Sequence, residues 1–284
     1  MNYYFNILNI PIELRFTEET YLPLASSLRP FRCTLEGNQA KTTIIDFVPE
    51  ALVKQASSIF FTKTSQSLSM AHCDDRLLFE YQTGHFLTNK SFTQVTLWSP
   101  YESDISMQRE GVVAFNGDPT LRLILWGRAS LEGYCFMHGA LVVIDGKHVL
   151  LMGDSGVGKS TLSRLACQQG ATCLTDENPF IYWNGDYIEA YTTPWPGVSG
   201  SDALLSGPLA AVFFLRQTDK NEIRQLPMDE AVRCLLHNSR TFNWLPETIP
   251  DAIQLLDKVV RNVPVYDFGF LPHPSAVDFL KSAL

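Results

Sequence analysis

One stretch restricts this chain more than any other: Gly153-Asp154-Ser155-Gly156-Val157-Gly158-Lys159-Ser160-Thr161. It fits the phosphate-binding loop pattern G-x-x-x-x-G-K-[ST]. The spacing has a chemical reason. Gly153, Gly156 and Gly158 permit positive φ, so successive backbone N–H groups turn into one concavity suited to an anion. Lys159 adds a point charge for the outer phosphates of a nucleotide, and the Ser160 hydroxyl can ligate Mg²⁺. The apolar run His148-Val149-Leu150-Leu151-Met152 predicts a strand entering the loop. Thr161 to Ala166 predicts a helix leaving it, stopped by Gly170 at the C′ position. Phosphate would then sit at a helix N-terminus, where free N–H groups and partial positive charge accumulate.

The surroundings narrow the class. With 284 residues, 45% hydrophobic and 18% charged, the chain can bury one or two ordinary cores. No run approaches the ~18 apolar residues of a membrane span. The N-terminal residues lack a basic segment followed by an apolar one, so a cytoplasmic location is expected. Six cysteines, with no C-x-x-C pair, read as reduced thiols. A formal net charge of −8 provides no basic face, which argues against nucleic acid as a partner.

Residues 1–110 carry short β-branched and aromatic runs: Tyr3–Ile7, Thr42–Phe47, Ser58–Phe61, Leu77–Tyr81 and Gln94–Trp98. Turn clusters at Glu36-Gly37-Asn38 and Thr83-Gly84 separate them, predicting a small antiparallel sheet. His72-Cys73-Asp74-Asp75 has metal-ligand residue types, but neighbours on an extended chain face opposite ways, so a polar turn is the expectation. Residues 111–284 then read as an α/β domain. Asp118-Pro119 predicts a helix start, with Leu121, Leu125, Trp126 and Ala129 as its apolar stripe. Asp145-Gly146 between two apolar runs predicts a hairpin. It makes the strand before the phosphate loop antiparallel to its predecessor, unlike doubly wound nucleotide folds. Strands are expected at Ala171–Thr175, Tyr187–Tyr191, Ala210–Leu215 and, as an edge, Val263–Phe268. Helices are expected at 229–238, 248–261 and from Pro274.

Phosphoryl transfer also needs a carboxylate for metal and a base for the acceptor. Asp176 ends a strand beyond the loop helix, where it can meet cation held by Ser160. Glu177 follows, and two carboxylates at a strand end can divide metal holding from proton acceptance. The hairpin folds His138 back to the level of the loop, making it a site candidate. Arg216 and Arg240 are candidate phosphate clamps. Thr193-Pro194-Trp195-Pro196-Gly197 is either an acceptor groove or a rigid turn.

Together, His138-Gly139-Ala140-Leu141-Val142, the Asp-Gly hairpin, the loop octet and Asp176-Glu177 resemble the catalytic domain of HPr kinase/phosphorylase. More loosely they resemble phosphoenolpyruvate carboxykinase, and most nearly the shorter HPr-kinase-like proteins of peptide tailoring, such as lasso peptide biosynthesis. The resemblance covers roughly residues 118–280. It implies a carboxykinase-like fold behind a β-rich N-terminal recognition domain, with Lys159 on the β- and γ-phosphates and Ser160 with Asp176 on Mg²⁺. It sets Glu177 as base, where the family has a second aspartate, and His138 as support for the site. The family's glycine-rich signature after the carboxylates is not recognisable, so HPr and the reverse reaction are not expected. The implied activity is an ATP- and Mg²⁺-dependent kinase for a hydroxyl, serine above all, on a peptide or small protein. The alternatives are a regulatory nucleotide-binding module without transfer and a kinase of a small-metabolite hydroxyl. No membrane partner is expected, and a homo-oligomer is compatible with this reading.

Overall fold

The structure, a computed structural model, describes residues 2–17, 24–34, 41–48, 63–64, 68–73, 75–81, 84–98, 105–106, 114–115, 119–197, 200 and 206–284. The chain divides into two compact units, Met1–Leu131 and Glu132–Leu284. In this division the helix predicted after Pro119 groups with the first unit.

In that unit the described strands are β1 (Asn2–Ile7), β2 (Ile10–Phe16), β3 (Thr43–Val48), β4 (Lys63–Thr64), β5 (Leu68–Cys73), β6 (Arg76–Tyr81), β7 (Gly84–Asn89) and β8 (Gln94–Trp98). They form one sheet in the order β1-β2-β3-β8-β7-β6-β5-β4. It is mixed rather than antiparallel, because β2 pairs with β3 and β3 with β8 in parallel. Parallel neighbours need long connections, and both pairs are far apart in the chain. The run at 58–61, the turn at Glu36-Gly37-Asn38 and Asp118 lie outside the described residues, as do Asp74 and Thr83 of their clusters. His72 and Cys73 end β5, and Asp75 lies in an exposed turn. A small ladder pairs β9 (Ile105–Ser106) with β10 (Ala114–Phe115), and α1 (Thr120–Leu131) follows. Gly127 of α1 explains its allegiance: a Cβ there would stand 2.6 Å from the fully buried Phe92 ring.

The second unit is layered. Its strands are β11 (Cys135–Met137), β12 (Gly139–Ile144), β13 (Lys147–Met152), β14 (Thr172–Thr175), β15 (Phe180–Trp183), β16 (Ile188–Tyr191), β17 (Ser206–Gln217), β18 (Glu222–Gln225), β19 (Ser239–Arg240) and β20 (Val265–Phe270). Its helices are α2 (Lys159–Gln168), α3 (Met228–Asn238), α4 (Ile249–Asn262) and α5 (Ser275–Ser282). The predicted hairpin is present: β12 and β13 pair antiparallel from Ile144↔Lys147 back to Gly139↔Met152. Asp145 and Gly146 both take positive φ, 49° and 79°, as a two-residue primed turn requires. Gly170 ends α2 at φ +90°, with its N–H on Cys167 O at 3.1 Å.

Strand β17 joins two parts of the sheet. Ser206–Pro208 pair with β16, and from Leu209 onward β17 runs parallel to β13 and then also to β20. Val265–Phe270 is not an edge. β18 covers its other side, and Pro264, which cannot donate, lies one residue ahead of the strand with its carbonyl accepting from Val212 N–H at 3.0 Å. The polar β18 is the strand left at that margin.

Period-two patterning divides the core. Leu141, Leu150, Met152, Val212 and Phe214 pack on one face with Ala231 and Leu235 of α3 and Leu255, Leu256 and Val259 of α4. Their neighbours Val142, Val149, Leu151, Ala211 and Phe213 face Leu162 and Ala166 of α2 and Ala276, Val277 and Leu280 of α5. Burial on both faces is why these strands read as unbroken apolar runs. Among the described residues, no helix is long and apolar enough to cross a membrane. Phe213 is fully buried and stacks on Tyr266 at 4.9 Å. Phe213→Ala is expected to lower unfolding free energy by about 3–5 kcal/mol in urea titrations, and a loss below about 1 kcal/mol would contradict this packing.

Candidate functional site

Strand β13 delivers the chain into the loop from the middle of the sheet, between β12 and β17. Gly153, Gly156 and Gly158 all take positive φ, at 133°, 83° and 107°, as the sequence predicts. Two of them also touch neighbours closely. A Cβ at Gly153 would stand 3.2 Å from Leu215 O of β17, and one at Gly158 would meet the Phe270 ring of β20 at 2.7 Å. The loop thus rests on the ends of two strands. Asp154, Ser155 and Gly156 are exposed, while Val157 and Thr161 are half-buried. The first α-type bond of α2 runs from Leu162 N–H to Gly158 O at 2.9 Å, so the preceding N–H groups at the helix start have no intrahelical acceptor.

Lys159 opens α2 and turns back under the loop. Its Nζ donates to Gly153 O at 2.7 Å and Asp154 O at 3.1 Å. His138 Nε2 lies 3.4 Å from the same nitrogen. Strand β12 begins at Gly139 rather than at His138, yet the register Gly139↔Met152 still sets His138 across from Gly153. The backbone N–H of His138 donates to Asn238 O at 3.0 Å, which ties it to the end of α3. Burial lowers the pKa of His138, and the nearby charges of Lys159 and Arg240 lower it further; Glu177 and Asp154 oppose them. Burial also lowers that of Lys159.

Strand β14 pairs with β12 and ends beside the loop helix. Asp176 follows it, only 4% exposed, with Ser160 Oγ 3.5 Å from its Oδ2. Its backbone N–H donates to Pro196 O at 3.1 Å. Glu177 is exposed; its N–H donates to Thr175 Oγ1 at 3.3 Å, and its Oε2 accepts from Asn178 Nδ2 at 3.4 Å. Arg240 sits on β19, paired opposite Phe136 of β11, and its charge reaches both His138 and Lys159.

Arg216 is not brought to this cluster. Its guanidinium is bound to Asp267 at 2.9 Å and Glu222 at 2.7 Å, which directs it toward β20 and β18. Sequence reading could not foresee those partners, because they lie on strands that pair only in the fold. It also missed His237, whose Nε2 is 3.5 Å from Asp154 Oδ1, and Gln217, whose Nε2 donates to Gly156 O at 3.4 Å. Neither falls in a recognisable motif. In the Thr193–Gly197 segment, Thr193 and Trp195 are buried.

Among the described residues no three His, Cys, Asp or Glu side chains cluster in a metal-holding arrangement. Ser160 and Asp176 offer two hard oxygens instead. Adjacent oxygens around an octahedral Mg²⁺ stand roughly 2.9 Å apart at ~2.05 Å ligand distances, so a small closure of the 3.5 Å gap accommodates that ion. The donor set fits a cation completed by phosphate oxygens and water.

Among solved structures, the Hpr(Ser) kinase/phosphatase from Coxiella burnetii is similar over 52% of this chain and 94% of that chain, at 15% sequence identity and a TM-score of 0.33. No curated protein matches the chain. The family model described as SynChlorMet cassette protein ScmC matches residues 119–267, just over half of the chain. By that match the chain belongs to the ScmC family of SynChlorMet cassette proteins.

Proposed function

We propose that this protein is an ATP- and Mg²⁺-dependent kinase that phosphorylates a hydroxyl, serine above all, on a peptide or small protein. The observation that carries the reading is the convergence on Lys159 Nζ of two loop carbonyls and His138 Nε2, beside a Ser160–Asp176 oxygen pair. When bound, Mg·ATP supplies the electrophilic phosphoryl group and the cation that screens its charge. The N–H groups at the start of α2 and the Lys159 ammonium hold phosphate oxygens. Ser160 Oγ and Asp176 Oδ2 hold the cation. Arg240, whose charge acts on both His138 and Lys159, is the arginine of the pair placed to steady transferring charge. The exposed Glu177 carboxylate accepts the acceptor's proton. Neutral His138 accepts a hydrogen bond from Lys159 and orients it.

Lys159→Ala should weaken Mg·ATP binding and abolish transfer; calorimetry giving equal affinity for both proteins would remove the premise. Glu177→Gln keeps size and hydrogen bonding but takes no proton. Transfer from radiolabelled ATP to serine-bearing peptides should fall roughly 10²–10⁴-fold with Mg·ATP affinity retained. Wild-type rates in that variant would show Glu177 to be a polar strand end.

The histidines make stability pH-dependent. Burial lowers the pKa of both His138 and His148 in the folded state. The unfolded chain therefore binds more protons as pH falls through about 6.5, so stability present at neutral pH declines below that value. His138→Gln should flatten part of the decline in thermal midpoint between about pH 7 and 5; an unchanged slope counts against a neutral, half-buried His138.

A further inference from the structure

Asp176 is confined from two directions. Ser160 Oγ approaches Oδ2 at 3.5 Å, and the segment after β16 closes over the other side. The Asp176 N–H bonds Pro196 O at 3.1 Å, which brings that backbone against the strand end. Gly197 then passes directly over the carboxylate at φ +79°. A Cβ on Gly197 would overlap Asp176 Oδ1 and stand 2.8 Å from its Cγ. The segment cannot easily retreat. Trp195 and Thr193 anchor it in the interior, at 6% and 2% exposure.

We infer that Gly197 is a positioning residue: its bare backbone lies on Asp176 and keeps the carboxylate aimed at Ser160, on the cation-holding edge of the site. A carboxylate has little length with which to avoid an added methyl. Any side chain at 197 must therefore rotate Asp176 away from Ser160 or lift the segment, and either movement separates the two oxygens. The cation site would suffer while the loop glycines, which Gly197 does not touch, keep their geometry. This inference rests on the nucleotide-binding reading given above.

Calorimetry of ATP binding, in EDTA and across a Mg²⁺ titration, tests it on the full chain. In Gly197→Ala the Mg²⁺ concentration that gives half of the cation-dependent gain should rise about 10–100-fold, the usual worth of a group that orients a metal ligand. ATP binding in EDTA should stay within about twofold of wild type, which also reports that the variant is folded. Gly197→Asn is the second variant. Asn tolerates a left-handed backbone but carries the same Cβ, so it must show the same defect. Restoration of wild-type Mg²⁺ dependence by Asn would assign the glycine to backbone strain and overturn the inference. So would a full additional effect of Gly197→Ala in an Asp176→Asn background, where the contact is expected to have nothing left to orient. Wild-type binding that depends on Mg²⁺ with an unaltered Gly197→Ala curve defeats this inference alone. Wild-type binding indifferent to Mg²⁺ defeats it together with the proposed function.

Discussion

The backbone pairing of Gly139 with Met152 is the constraint on which the second unit depends. Strand side chains alternate faces, so a slip of one residue would exchange the two core layers. Leu150 and Met152 would leave the α3 and α4 side, and Val149 and Leu151 the α2 and α5 side. The same slip would carry His138 off its position across from Gly153. Core and site are thus enforced by one set of hydrogen bonds, and apolar burial on both faces penalises any alternative register. The Asp145-Gly146 turn begins that register at the only separation two left-handed residues allow.

Charge at the site is arranged against bulk solvation. Lys159 is 8% exposed, and the water its ammonium gives up is replaced by two carbonyl oxygens of the loop. Burial nevertheless disfavours its charged form, and the positive Arg240 adds to that; Asp154 and Glu177 act the other way. A negative group beside Lys159 would offset the cost of keeping its ammonium buried. Burial lowers the pKa of His138 as well, and the field of Lys159 adds to it.

What could be read from the sequence was what depends on near neighbours. The loop glycines, the Asp-Gly hairpin and the Gly170 stop each follow from a backbone requirement within a few residues, and each is present. The long apolar run after Ala210 announced a strand buried on both faces, though not its early residues, where Pro208 and Gly207 pair with β16. Pairings and contacts across much longer separations were illegible. Nothing in Arg216 itself tells of Asp267, 51 positions later, and nothing in the runs before residue 100 tells that β2, β3 and β8 lie parallel. β15 and β18 went unseen because each is a four-residue run without alternation strong enough to stand out. The approach of Gly197 to Asp176 belongs to the same class: a glycine in a proline-rich turn gives no hint of what passes beneath it.

The antiparallel entry to the phosphate loop has a kinetic side. A strand whose neighbours are all parallel must wait for a crossover before it gains any partner, and closing long loops costs entropy that grows with their length. Here β13 meets β12 across two residues, so its first partner is the nearest in the chain. The two can associate on the microsecond scale of hairpins, long before β17 arrives to complete the parallel side. The strand that carries the loop is therefore the part of this unit whose assembly demands least of the rest of the chain.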